Sequence, residues 1–275
     1  MKIKIIDIDK LFSDYITDYV YANVGKVNPE EIENQMPVLY EEFGYKPLKE
    51  LDGKSPEKYY IQFPTDRLID CLKQHIKQDV DVSDFLCEAI MDADDSLDQL
   101  YKSLNGEEDE KFIMYILNML AEEDLTSVAK GLLSYIVWDY SEPIRELATE
   151  ILYPYADTVK EEIVSQYSEV DDVRKACFTD ILSHASKDDR VFNILIEEFI
   201  KNQDNIPLYA GYLGKYGDER ALPFLMSTIE NEKINYNDFE ELRFAIECLG
   251  GEYTKERDFS KDKTYKKITS QTEEN

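Results

Sequence analysis

The sequence predicts an all-α fold in which helical hairpins stack into a solenoid behind an N-terminal helical cap region. Apolar residues recur every three or four positions along most of the chain, which indicates amphipathic helices. No segment shows sustained alternation of apolar and polar residues, so we expect no sheet. The 275 residues include only ten Gly and nine Pro, which favours long helices joined by short connections.

Capping and stop signals mark the first helices. Apolar residues at helical spacing predict a first helix that stops at Gly25. Asn28 and the Pro that follows it are a typical start for the second helix, and Pro37 should kink or divide that helix. Residues 44–64 are irregular and rich in Gly and Pro, so we interpret residues 1–64 as an N-terminal helical cap unit.

The following residues, 65–251, have the pattern of a repeat array. From about residue 125 the predicted helices come in pairs, and the second member of each pair begins with an acidic residue and continues with Arg and a small residue. Self-similarity at a period near 30 residues is typical of stacked helical hairpins. Aligning the units places four residues at one position, with spacings of 29, 32 and 36: Leu152, Ile181, Leu213 and Leu249.

One connection between helices has a recognisable pattern. Residues 213–225 read LGKYGDERALPFL. Gly214 and Gly217 would permit a turn, Asp218 would cap the next helix, and Pro223 is tolerated in that helix's first turn. This segment resembles the HEAT-like repeat of phycobilisome lyases, which ends one helix with Leu-Gly and opens the next with Arg-Ala-Leu-Pro.

The resemblance implies a solenoid of HEAT-like hairpins. It is good over residues 125–251, degenerate over 66–124 and absent from 1–64. Such repeats occur in lyases, kinase adaptors and DNA glycosylases, so the resemblance implies a fold and leaves the function open.

The charge of the chain restricts its partners. There are 59 acidic and 31 basic residues, which gives a net charge of −28. Residues 252–275 hold six of each sign, and we expect this polar tail to be disordered. An acidic body repels phosphate backbones and anionic lipid, so we expect no nucleic acid and no membrane as partner, and favour a basic protein or peptide. The absence of a signal peptide pattern and of a long apolar run predicts a cytoplasmic protein.

No residue pattern indicates catalysis or ligand chemistry. His75 and His184 are far apart in sequence, and the four cysteines form no CxxC pair, so no metal site is predicted. Residues 92–98 begin like a calcium loop but lack its Gly and its Glu. Since phosphate-binding glycine loops and nucleophile elbows are also missing, we predict no catalytic residue and no cofactor.

Repeated arginines and clustered aromatic residues are the candidate binding groups. The arginines should form a row near the inner surface of the solenoid, either as a structural ladder to acids and helix carbonyls or as a grip on an acidic ligand. The aromatic residues should be core residues or a hot spot for protein binding. The candidate interaction surface comprises Arg145, Arg174, Arg243, Tyr135, Trp138, Tyr140 and Tyr153.

These observations favour a scaffold or adaptor over an enzyme. Its acidic concave surface would receive a basic protein or peptide, since solenoids offer extended binding grooves. The alternative is an enzyme on the HEAT-like fold: a chromophore lyase, as the resemblance suggests, or a DNA glycosylase, which needs a basic face. The partner, the oligomeric state and the role of residues 1–64 stay open.

Overall fold

A computed structural model of the chain describes residues 3–23 and 29–272, and over these residues the fold is all-α without strands. The chain forms two compact units, Met1–Leu125 and Thr126–Asn275. Their boundary coincides with the start of the best repeats in the sequence. The predicted helix stop at Gly25 and the predicted cap at Asn28 lie outside the described residues.

In the first unit, the N-terminal segment packs into the same core as the helices that follow it. Tyr40 of the second helix stacks on Phe85 with ring centroids 5.0 Å apart. The buried His75 lies within hydrogen-bond distance of two backbone carbonyls. Its Nδ1 is 2.9 Å from the carbonyl oxygen of Cys71, and its Nε2 is 3.2 Å from that of Ile6. The helices are α1 (Ile8–Ala22), α2 (Pro29–Gly44), α3 (Pro56–Tyr59), α4 (Thr65–Lys77), α5 (Asp84–Met91), α6 (Ser96–Ser103) and α7 (Glu110–Leu120).

Local signals account for where α1 and α2 lie. The side chain of Asp7 caps α1 by accepting a hydrogen bond of 2.8 Å from the amide of Lys10. Pro37 does not divide α2, which continues through it to Gly44. Of the two predicted effects of Pro37, division is therefore excluded, whereas a kink stays a prediction.

The second unit is built of helices that pack in consecutive pairs. Its helices are α8 (Ala129–Leu132), α9 (Ser134–Val137), α10 (Glu142–Ile151), α11 (Ala156–Gln166), α12 (Asp172–Leu182), α13 (Asp189–Lys201), α14 (Ile206–Tyr216), α15 (Leu222–Ile229), α16 (Tyr236–Cys248) and α17 (Lys263–Thr272). From α9 to α16 each odd-numbered helix packs on the even-numbered helix that follows it. The even-numbered helices also pack on one another in the order α10, α12, α14, α16.

The connection from α14 to α15 follows from its sequence, with one exception. Gly217 ends α14 in the left-handed region at φ 74°, and Asp218 accepts a hydrogen bond of 3.1 Å from the amide of Arg220. Pro223 lies in the first turn of α15. Gly214, in contrast, is not part of the turn; it lies inside α14, where a Cβ atom would come within 3.2 Å of Ala245 Cα.

Side chains of the C-terminal segment contact the helices that precede it. Phe259 packs against Phe239 of α16 with ring centroids 5.1 Å apart. Arg257 donates hydrogen bonds to the carbonyls of Ile229 and Asn231 at 2.7 Å and 2.9 Å. The aromatic and Arg side chains of this segment thus have partners on or next to the preceding helices, and the disorder of the tail stays a prediction.

No helix within the described ranges is long and apolar enough to cross a membrane.

Candidate functional site

An exposed tryptophan marks the connection between α9 and α10. We call residues 138–141 the Trp138 loop. The backbone becomes extended at Trp138, where ψ is 173°, and this ends α9. The Trp138 side chain is 62% exposed, although indole rings are normally among the more buried groups of a protein.

The arginine at the start of α12 holds this loop in place. Arg174 donates from Nε to the carbonyl of Val137 at 2.6 Å and from Nη2 to that of Trp138 at 3.2 Å. Its Nη1 donates to Asp171 Oδ2 at 2.5 Å. The Arg174 amide and guanidinium together lower the pKa of Asp171, which also caps α12. Because Arg174 is itself only 19% exposed, these bonds are partly shielded from water.

A second arginine holds the other end of the loop. Arg145 of α10 donates from Nη1 to the carbonyl of Tyr140. The Tyr140 ring stacks on the buried Tyr135, with centroids 5.0 Å apart. The fold thus gathers five of the seven candidate residues around the Trp138 loop, with Trp138 as the exposed member.

The other two candidate residues lie elsewhere in the second unit. Arg243 of α16 pairs with two acids of its own helix, Glu240 at 2.7 Å and Glu247 at 3.9 Å. Tyr153 lies after α10 and packs against the ends of α12 and α14. Arg243 thus pairs with local acids, whereas Arg145 and Arg174 donate to backbone carbonyls, and the row of three arginines stays a prediction.

Tyr153 belongs to a cluster of polar and aromatic side chains that we call the Tyr153 cluster. Its hydroxyl donates to Asp180 Oδ2 at 2.7 Å, and its ring stacks on His184 with centroids 4.1 Å apart. Lys215 Nζ lies 3.1 Å from His184 Nε2 and 3.8 Å from Asp180 Oδ1. The same ammonium lies 5.6 Å and 5.9 Å from the ring centroids of Tyr153 and Tyr212.

The cluster perturbs the ionisation of its members. Burial and the nearby Lys215 charge lower the pKa of His184, so its imidazole is neutral and can accept a hydrogen bond from the ammonium. Burial raises the pKa of Tyr153, and its hydrogen bond to Asp180 raises it further. Burial and the Asp180 charge likewise raise the pKa of Tyr212. At neutral pH both phenols therefore stay protonated.

Several of these residues were not predicted from the sequence. Asp180 and Lys215 follow no spacing rule, because they meet across 35 residues of chain. Arg190 and Arg220 had a readable signal, an Asp two residues before each Arg at positions 188 and 218. They form the ladder expected of other arginines: Arg190 reaches Glu161 at 2.6 Å, and Arg220 reaches Asp189 at 2.8 Å.

Comparison with known proteins finds no matching family model, no matching curated protein and no matching solved structure. In the described part of the chain, no group of three or more His, Cys, Asp or Glu side chains could hold a metal ion.

Proposed function

We propose that this chain is a protein-interaction module, built on HEAT-like hairpins, which binds a basic protein or peptide. The observation that carries the proposal is the Trp138 loop, where two arginines fix the backbone and leave the indole exposed. Hot spots of protein interfaces are enriched in Trp, and an indole fixed before binding loses little conformational entropy.

Charge around the loop supports a basic partner. The carboxylate of Asp139 is exposed beside Trp138 and lies 3.9 Å from Arg174 Nη2. Asp171 and Asp172 begin the adjacent helix α12. The face of an indole attracts Lys and Arg side chains, and nearby carboxylates add to that attraction. The net charge of −28 would also accelerate encounter with a cationic protein.

The packing of the second unit supports the HEAT-like assignment. Helices pair consecutively, and the second members of the pairs pack on one another in chain order. This is the contact pattern that a stack of hairpins requires, because a two-helix hairpin cannot bury its apolar faces alone.

The fluorescence of Trp138 gives a direct test, since the chain has one tryptophan. We expect an octa-arginine peptide to change the emission of Trp138 on binding, with an affinity that falls as salt is added. An octa-serine peptide of equal length should cause no change. A cationic peptide that binds without altering the emission would contradict the placement of the site at Trp138.

Substitutions test whether the peptide binds at the Trp138 loop or is attracted only by the overall negative charge. We expect Trp138→Ala to weaken binding of octa-arginine about tenfold or more, measured by calorimetry, because the anchor is lost. Tyr21→Ala removes another exposed aromatic side chain, 75% accessible and in the first unit, and should bind as the unchanged protein does. Equal affinities of the two variants would contradict the proposal. A natural partner should be captured from a lysate by the unchanged protein and by Tyr21→Ala, but not by Trp138→Ala.

A further inference from the structure

An apolar groove lies between α14 and α16, apart from the Trp138 loop. Its volume is about 370 Å³, and its walls are formed mainly by Leu208, Gly211, Phe244, Ala245 and Cys248. We call it the α14–α16 groove. Leu208 and Phe244 are both exposed there. A volume of this order is at the small end of the range for pockets that bind small molecules.

Two glycines of α14 give the groove its shape. Gly214 lets the helices approach, since a Cβ at this position would lie 3.2 Å from Ala245 Cα and 3.4 Å from Ala245 Cβ. One turn earlier, a Cβ on Gly211 would meet nothing within 4 Å. The helices are thus close at Gly214, while Gly211 leaves open space beside Phe244 and Leu208.

A single cation lines the edge of this groove within the described residues. Lys215 belongs both to the groove lining and to the Tyr153 cluster. An ammonium group has three N–H donors, and one of them is used by the neutral His184 at 3.1 Å. The carboxylate of Asp180 is 3.8 Å away, beyond hydrogen-bond distance. The Lys215 side chain is 45% exposed, so its ammonium can still reach an acceptor at the edge of the groove, although Asp180 offsets part of its charge.

We propose that the α14–α16 groove binds a small apolar carboxylate, an aryl or short acyl acid. Its apolar body would lie over Gly211 between Leu208 and Phe244, and its carboxylate would accept hydrogen bonds from Lys215. This inference goes beyond the proposed binding of a basic protein and does not depend on it. A carboxylate complements the Lys215 ammonium better than a neutral group does, because charge-assisted hydrogen bonds are about twice as strong as those between neutral groups.

The negative charge of the whole chain opposes an anionic ligand only weakly at this distance. Charges in solvent more than about 8 Å apart are largely screened at physiological ionic strength. On α16, Glu240 and Glu247 are paired with Arg243 at 2.7 Å and 3.9 Å. Contact with Lys215 acts at short range, where the ligand carboxylate would compete with Asp180, 3.8 Å from the ammonium.

Three naphthyl compounds of equal shape test the proposal: 1-naphthoate, 1-naphthamide and 1-naphthylmethylamine. Binding to the full chain would be measured by calorimetry at physiological salt. We expect 1-naphthoate to bind about tenfold more tightly than the amide, and the amine to bind most weakly. Failure of 1-naphthoate to bind, or tighter binding of the amine, overturns the proposal.

Three variants locate the binding. Gly211→Leu places a side chain in the groove at a position where a Cβ meets nothing within 4 Å, and it should abolish naphthoate binding. Circular dichroism and the melting temperature would report whether α14 is intact. Lys215→Met should reduce naphthoate to the affinity of the amide. Lys130→Met makes the same charge change at an exposed lysine paired with Glu162, and should leave binding unchanged.

The remaining outcomes contradict the proposal. Naphthoate binding that survives Gly211→Leu would place the ligand elsewhere. Equal effects of Lys215→Met and Lys130→Met would show that only overall charge matters. Loss of octa-arginine binding in Gly211→Leu, with no binding of 1-naphthoate to the unchanged protein, would assign the groove to a basic peptide instead.

Discussion

At the scale of single residues, neighbours decide what each side chain does. Gly211 and Gly214 are three residues apart on α14 and look alike in the sequence. Only Gly214 faces the backbone of α16 at short range, whereas Gly211 borders open space. Arg174 and Arg243 likewise occur in similar sequence contexts, yet the first binds two backbone carbonyls and the second binds two acids of its own helix.

The two glycines yield opposite stability predictions. Gly211→Ala should raise the free energy of unfolding by about 0.5–1 kcal/mol, because Ala has the higher helix propensity and the new methyl meets no neighbour. Gly214→Ala should lower the free energy of unfolding by about 1–3 kcal/mol, because its Cβ would crowd Ala245 and push α16 away. Urea denaturation measures both. Equal stabilities of the two variants would contradict the close approach of α14 and α16.

At the scale of elements, aspartates start helices and the arginines next to them tie helices together. Asp188 caps α13 by accepting a hydrogen bond of 2.8 Å from the amide of Arg190. The Arg190 guanidinium also binds Asp188 at 2.8 Å and both oxygens of Glu161 on α11, at 2.6 Å and 2.9 Å. Arg220 repeats this arrangement 30 residues later. Each arginine thus fixes the start of its own segment and its contact with an earlier helix.

This arrangement predicts a pH-dependent loss of stability. Hydrogen bonds from the Arg190 side chain and amide hold the pKa of Asp188 far below its usual value. A carboxylate whose pKa is lower in the folded state stabilises the protein above about pH 4, and this stabilisation is lost as the pH falls. Asp188→Asn keeps a good helix cap and removes the charge. We expect its melting temperature to lie below that of the unchanged protein at pH 7, with a gap that narrows below about pH 4.

A matched control isolates the effect of this pairing from that of net charge. Asp204→Asn removes a carboxylate from an exposed position before α14. Its melting temperature should follow that of the unchanged protein at every pH. A gap for Asp188→Asn that stays constant with pH, or that also appears for Asp204→Asn, would argue against the ion pair with Arg190.

At the scale of the whole molecule, self-repulsion and screening dominate. The chain has 59 acidic and 31 basic residues, so many acids have no basic residue to pair with. Asp9 and Glu88 in the first unit illustrate the consequence: burial and neighbouring carboxylates raise the pKa of each. A group whose pKa is raised in the folded state stabilises the protein at low pH, and this stabilisation is lost as the pH rises through that pKa.

These charges predict how the complete chain responds to salt. At pH 7, sodium chloride should raise the melting temperature, because it screens repulsion among the acids. Near the isoelectric point of about 4.4, the same addition should have little effect. Melting curves over a grid of pH and salt would measure both. A melting temperature that falls with salt at pH 7 would mean that attractive pairs such as Arg190 with Glu161 outweigh the repulsion.

The sequence by itself determined the elements of this protein. Apolar spacing of three to four residues predicted the all-α fold, which is confirmed. Gly217 and Asp218 predicted the turn between α14 and α15, because a left-handed glycine and a capping carboxylate act on backbone within a few residues. The sequence also identified Tyr135, Trp138 and Tyr140 as candidate binding residues, since they are near neighbours in the chain.

Tertiary structure alone decided the sites. Arg174 reaches the carbonyl of Val137 across 37 residues, and Lys215 reaches His184 across 31. No sequence periodicity predicts such contacts, because they depend on the angle and distance at which helices pack. The packing of neighbouring helices also decides that Gly211 borders open space and that Trp138 stays exposed. Helices follow from local chemistry, whereas the candidate binding surfaces follow from contacts between segments that are distant in sequence.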